Sequence, residues 1–258
     1  MKRTCRDSRW LALAVLAACL CCAPRVDAQS TSTATGLWFT VGETLTYKIN
    51  WGVPVGDVVM TTRWVEENGQ PLLAIKMRTR SNKFLSTFYP VDDTVESFLD
   101  PVTFLPVRFT KVLNEGTYKC DRLTTFDRTN KVARFETEGS AKGEEFAIPE
   151  DARDVMSFMY AMRRRRFSPG QTERFQVVDD GKIHDLTVKT VAYEDVKLPR
   201  LGKTRSVRIE PEAGFQGLFV RTGKITLWVS DDERRVLTQL TAKAPIGNFK
   251  AVLVDVKP

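Results

Sequence analysis

The stretch VGETLTYKINWGVPVGDVVMTT, Val41 to Thr62, decides the fold. In its first half apolar and polar residues alternate, with Leu45, Tyr47 and Ile49 on one side and Thr44, Thr46, Lys48 and Asn50 on the other. Successive side chains of a strand leave opposite faces, so this run is a strand with one buried face. Trp51 and the Gly-Val-Pro-Val-Gly run at 52–56 interrupt the pattern, and a second alternating run follows. Pro fixes φ and Gly accepts positive φ, so 52–56 is expected to be the turn of a hairpin, with Trp51 covering it. Trp51 is also a candidate ligand contact.

The same rhythm spreads outward. DVVMTTRWV from Asp57, PLLAIKMRTR from Pro71 and KITLWV from Lys224 read as further strands, at roughly ten-residue spacing with turn residues between them. Asp180-Gly181 lies between two β-rich runs and predicts a tight hairpin, because Gly tolerates the positive φ such turns demand. SDDERR at 230–235 links two strands by a looser turn. The fold class is therefore mainly β: a large curved antiparallel sheet, or a partly open barrel or sandwich. One segment breaks the rhythm. PEDARDVMSFMYAMRRRRFSPG, from Pro149 to Gly170, has acids first, arginines last and a Pro-Gly stop, which predicts one amphipathic helix over about Asp151 to Arg165. Its stripe of Val155, Phe158, Met159 and Met162 is expected to pack on the sheet. Methionine is adaptable, so the stripe also suits the wall of a ligand cavity.

The first 28 residues run from a basic start through an apolar segment, Leu11 to Ala23, to small residues before Gln29. That is the layout of a secretory signal, with Val26-Asp27-Ala28 as the cleavage site. The alternative is a lipoprotein signal over 1–18, in which Leu16-Ala17-Ala18-Cys19 acts as a lipobox and Cys19 is lipidated. Residues 29–38 are a lead, and 39–258 form a single domain. The expected location is the periplasm, or for the lipidated form the outer membrane facing the periplasm, with membrane contact only through Cys19. Of the five cysteines, only Cys120 lies beyond the signal, so no disulfide within the domain is expected. The formal charge of +7 includes a signal with five basic and two acidic residues, so the mature chain is near +4. So small and dispersed a surplus gives no reason to expect nucleic acid as a partner.

Catalytic chemistries find little purchase. The chain's one histidine, His184, sits in a strand beside Asp185, which must point to the opposite face and so cannot orient it as a triad would require. The acidic pairs Asp92-Asp93, Asp179-Asp180 and Asp231-Asp232 fall in turn-like contexts without metal-ligand spacing, and Asp favours turns by bonding its local backbone. No metal and no cofactor are expected. A glycan hydrolase would need two facing carboxyl groups, for which Glu96, Asp121, Glu194 and Glu210 are all candidates and none is singled out. What remains is aromatic. SNKFLSTFYPVDD at 81–93 and PEAGFQGLFVRTG at 211–223 hold Phe84, Phe88, Tyr89, Phe215 and Phe219 in stretches too rich in loop formers to be simple strands. Phe88 and Tyr89, next to the rigid Pro90, are expected in the core. Phe215, Phe219, Trp51 and Phe84 are the candidate ligand contacts, the first two in a segment that glycines make adaptable.

In succession, FTVGETLTYKINWGVPVGDVVM, SNKFLSTFYPVDDTVESFLDPVTFLPVRF, EGTYKCDRLTTFDR and the run from VKLPRLGKTRSVRIEP to IGNFKAVLV resemble the bacterial exported domain-of-unknown-function family numbered 3108. The resemblance implies a mostly β protein of the Gram-negative envelope, with no catalytic residue or cofactor to transfer. The expected function is non-enzymatic: binding or carrying an apolar lipid or a glycan. The alternative is an assembly factor that acts through an envelope protein partner, and a glycan hydrolase ranks behind both.

Overall fold

The computed structural model describes residues 37–140, 142–211, 225–244 and 247–258. Among them fifteen strands form one sheet. The first half comprises β1 (Thr44–Trp51), β2 (Val53–Glu67), β3 (Gln70–Ser81), β4 (Asp92–Leu99), β5 (Pro106–Glu115), β6 (Tyr118–Asp127), β7 (Val132–Thr137) and β8 (Glu144–Ala147). The second comprises β9 (Arg153–Asp154), β10 (Thr172–Asp179), β11 (Lys182–Leu198), β12 (Gly202–Pro211), β13 (Ile225–Ser230), β14 (Leu237–Ala244) and β15 (Gly247–Lys257). β1 to β8 form one antiparallel meander and β10 to β15 another, each strand paired with its neighbour in the chain, and β1 pairs with β15, so the two meanders join along their first and last strands. Only the β9–β10 pair is parallel, and β8 and β9 are left as the edges of an open, mixed sheet.

The alternation of the opening stretch survives in detail: Leu45, Tyr47 and Ile49 are all buried. The hairpin is real, but its turn is tighter than the sequence suggests. Gly52 alone, at φ 72°, joins Trp51 to its partner Val53, and Pro54 to Gly56 already belong to β2. A bulge between Ile49 and Asn50 absorbs the irregularity opposite Pro54, which has no N–H to give the ladder. The Asp-Gly hairpin forms as expected, with φ positive at both Asp180 (46°) and Gly181 (73°).

The predicted helix is shorter than its sequence signal. It spans Val155–Met162 (α2), because Arg153 and Asp154 are taken by the pairing with Val177 and Val178 of β10. Asp154, not Asp151, caps it: Oδ1 accepts from the amides of Met156 (2.8 Å) and Ser157 (2.9 Å). A second helix, α1 (Lys83–Ser86), lies in the 81–93 segment, where no helix was expected. Cys120 is buried on β6.

The sheet's halves meet through side chains. Lys111 of β5 forms ion pairs with Asp179 and, at 3.0 Å, with Asp180, and Arg122 of β6 pairs with Asp180. Gly181 lies so close to Phe135 of β7 that a Cβ there would stand 2.8 Å from the ring. Burial pushes the Asp179 carboxyl up, against the pull of Lys111, whereas Lys111 and Arg122 outweigh burial at Asp180 and hold it low. The Asp pair read as a turn is therefore half turn and half latch. Asp93, read the same way, is fully buried in β4, where Oδ1 accepts from the amide of Asn114 at 2.8 Å.

Lys111→Met, which strands Asp179 in the interior, should lower unfolding free energy by about 3 to 5 kcal/mol in urea titrations. A loss below about 1 kcal/mol, the scale of exposed pairs, would refute the latch. A second expectation concerns Glu115, buried beside Asp93: burial first, then the Asp93 carboxyl, pushes it up to about 8. A carboxyl that holds its proton longer folded than unfolded favours folding below its unfolded pKa and loses that benefit as pH rises to about 8. Stability should therefore fall between about pH 4.5 and pH 8. Glu115→Gln should flatten that slope, and an unchanged slope would show that another group sets it.

Candidate functional site

An apolar cavity of about 110 Å³ lies between α2 and the inner face of the sheet. Helix residues Phe158, Met159 and Met162 form one wall. Leu45 and Met60, paired across β1 and β2, form part of the other, together with Ile209, Leu227 and Leu240 of β12 to β14. The cavity is thus built by the Met and Phe stripe that the sequence presents, and the stripe does double duty. Phe158, Met159 and Met162 are only partly buried, whereas Val155, Met156 and Tyr160 on the same helix belong to the buried core.

α2 is held in place at both ends by polar contacts. At its start, Ser97 of β4 donates to Asp154 Oδ2 at 2.6 Å, tying the cap to the far half of the sheet. Burial pushes the Asp154 carboxyl up, against the hydrogen bonds that favour its charge. At its end, Arg163 pairs with Glu43 through both guanidinium nitrogens, with Nη2 to Oε2 at 3.0 Å, and its Nε donates to the Arg234 carbonyl at 2.9 Å. The Tyr160 hydroxyl donates to Glu43 Oε1 at 3.1 Å. Burial works against the Arg163 charge, but Glu43 outweighs it and raises the guanidinium further. Burial, reinforced by the Glu43 charge, pushes the Tyr160 hydroxyl well up, so it stays neutral. Trp38, read as the end of the lead, donates Nε1–H to the Tyr160 carbonyl at 2.7 Å. Its ring packs edge-on against Phe104 at 4.4 Å and helps to close this end.

Opposite this end lies the rim carrying the Trp51 corner, α1 and the Asp180-Gly181 turn. Trp51, 41% exposed, stacks on Phe249 at 5.6 Å and covers Gly247, where a Cβ would stand 2.3 Å from its Nε1. Phe84 is 61% exposed and touches Phe88 edge-on at 6.0 Å. Phe88 is 76% exposed, so the expectation that it belongs to the core fails. Asn82 caps a short helix before Pro90, and Phe88, just past its end, lies in solvent while Tyr89 folds back over Gly116. Burial, with Glu115 and Asp93 nearby, pushes the Tyr89 hydroxyl up to about 12. Phe215 and Phe219 lie outside the described residues, as does Cys19. The strands flanking the first two, ending at Pro211 and starting at Ile225, reach this same rim.

The hydrolase candidates do not converge. Arg63 binds Glu96, and Arg208 binds both Glu194 (2.6 Å) and Glu210 (3.6 Å) on neighbouring strands. Asp121 stands apart and exposed on β6. His184 meets the Asp179 carbonyl at 3.2 Å while Asp185, on the opposite face, accepts from Gln176. Sequence reasoning missed Tyr47, Glu43 and Arg163 as a group. Tyr47 is legible only as an inward strand residue, and nothing local ties it to Arg163.

The family model described as Protein of unknown function (DUF3108) matches residues 44–254. No curated protein matches the chain. Among solved structures, the chain is similar to a beta-barrel-like protein of domain of unknown function DUF1849 from Brucella abortus. The TM-score is 0.54 at 9% identity, over 84% of this chain and 97% of that one, a likeness of fold alone.

Removing one partner of the buried pair should cost much more than removing both. Arg163→Met is expected to lose about 3 to 5 kcal/mol in urea unfolding, and the double variant Glu43→Met, Arg163→Met to regain at least half of it. A double variant as unstable as the single one would show that the pair does not carry the helix end.

Proposed function

The chain belongs to the family described as protein of unknown function, DUF3108, and from that premise we propose that it is a non-enzymatic binding protein of the periplasm that takes up an apolar lipid. The observation that carries the reading is the cavity under α2. A packed interior leaves few voids larger than a water molecule, whereas this one holds about 110 Å³ behind a wall of methionine, phenylalanine and leucine. An engineered apolar cavity of about 150 Å³ stays dry and binds benzene, which sets the scale. A glycan needs many hydrogen-bonding partners, and this lining supplies few, so a lipid is favoured over a sugar. Methionine at such a wall adapts to ligands of varied shape.

A second reading rests on the rim. Trp51, Val53, Phe84 and Phe88 are all exposed at one end of the sheet, and Asn82 Nδ2 bonds the Pro54 carbonyl, which sets α1 beside the Trp51 corner. Exposed apolar groups clustered in this way suit contact with an envelope protein partner.

Benzene, a probe on the scale of this void, should bind the purified protein, and Met159→Trp, which narrows the void, should weaken that binding by about tenfold or more without loss of secondary structure. No benzene binding by the wild type would end the lipid reading. Native mass spectrometry of protein from its own periplasm separates the two readings: copurified lipid supports the first, and a stoichiometric protein supports the second.

A further inference from the structure

The rim at the Trp51 corner holds its apolar groups on a fixed platform. β1 ends there at Trp51, β2 starts at Val53, β3 ends at Ser81 and β15 starts at Gly247, so four strand ends share one edge with α1. Asn82 fastens α1 to it: the amide donates to the Val55 carbonyl at 2.8 Å and Nδ2 to the Pro54 carbonyl at 2.6 Å. Every well-exposed phenylalanine and tryptophan among the described residues lies here, as Trp51, Phe84 and Phe88, with Val53 beside them. Large apolar groups gathered at one exposed place mark a contact site.

The charges around these groups decide the kind of partner. Asp57 is matched by Lys48 at 2.5 Å and Asp92 by Arg78 at 3.9 Å, while Asp93 and Glu115 are buried. Arg80, Lys83, Lys243 and Lys250 are exposed and form no ion pair among the described residues. Arg80 stands between Asp57 and Asp92 in the ladder, and Lys83 opens α1. Lys250 is level with Asn50, next to Trp51, and Lys243 is level with Asn248, next to the Gly247 that Trp51 covers. The rim therefore joins exposed aromatic rings to a surplus of positive charge. The core of a protein interface is poor in lysine, whereas at a bilayer surface aromatic rings sit at the headgroup level and nearby lysines reach anionic lipid. The rim has the second composition.

We propose that this rim docks on an anionic lipid bilayer, with Trp51, Phe84 and Phe88 seated among the headgroups and Arg80, Lys83, Lys243 and Lys250 against lipid phosphates. The contact is shallow and reversible, because a few side chains bury far less apolar surface than a membrane-spanning segment. The sequence points to membrane contact only through Cys19; this contact belongs to the folded domain and does not depend on the cavity under α2.

The test is co-sedimentation of the protein, as recovered from its own periplasm, with vesicles of phosphatidylcholine with and without phosphatidylglycerol. The wild type should bind the anionic vesicles at least about tenfold more tightly, and added salt should weaken that binding. Phe84→Ser with Phe88→Ser should keep the wild-type melting temperature, because both rings already lie largely in water, and should lose about tenfold in affinity for the anionic vesicles. Lys83→Glu with Lys250→Glu should lose at least as much on anionic vesicles and nothing on phosphatidylcholine alone. Equal binding of the wild type to both kinds of vesicle overturns the proposal, and so does failure to bind either. A phenylalanine or lysine variant that binds anionic vesicles as the wild type does assigns the contact to another part of the chain and overturns it as well. A stoichiometric envelope protein that leaves with the phenylalanine variant, while the wild type ignores vesicles, gives the rim to a protein partner instead.

Discussion

An open sheet of fifteen strands must cover one apolar face and leave two edges that do not recruit other chains. Buried polar side chains hold the two halves together and tie one of those edges. Lys111 and Arg122 on one half hold Asp179 and Asp180 at the tip of a hairpin on the other. Ser97 of β4 holds Asp154, which belongs to edge strand β9 and caps α2 at the same time. A single carboxylate therefore ties an edge, starts the helix and presses that helix onto the inner face. Together with the β9–β10 pairing just before it, these ties keep α2 where it closes the cavity.

Such ties are expensive to bury and give little net stability over apolar replacements. Their effect is placement. Glu43 and Arg163 lie 120 residues apart in the chain and meet with Tyr160 between them. A purely apolar contact would let the helix slide along the sheet, whereas a bidentate pair with a third donor admits one position. The void beside α2 follows, because a helix pinned at both ends cannot settle inward to fill it.

The parts of this fold that were legible in the sequence are those set within a few residues. Alternation shows the strands from Thr44 onward, Asp180-Gly181 shows its hairpin, and the Met and Phe stripe shows the helix that walls the cavity. The errors fall where a distant partner overrode a local signal. Asp93 and Asp179 look like turn residues beside Asp92 and Asp180, and only the fold reveals that each is buried in a strand. The helix was expected from Asp151, but its first residues were claimed by β10. Pro90 suggests a core place for Phe88, yet the chain leaves α1 just before it and Phe88 lies in solvent. Of the site itself, the apolar wall could be read and the polar floor could not, since Tyr47, Glu43 and Arg163 carry no spacing that joins them.

The floor also carries a cost. The Tyr47 hydroxyl is buried without a hydrogen-bond partner among the described residues, which adds its own desolvation to the dispersion contacts that the void loses. Burial already pushes the Tyr47 hydroxyl above its ordinary value, so it cannot relieve that cost by ionising at any ordinary pH. Glu43 accepts from Arg163 and Tyr160 and not from Tyr47. The carboxylate that fixes the end of α2 thus leaves the Tyr47 hydroxyl unserved, and the placement of the helix and the cost at Tyr47 trace to one arrangement of charges.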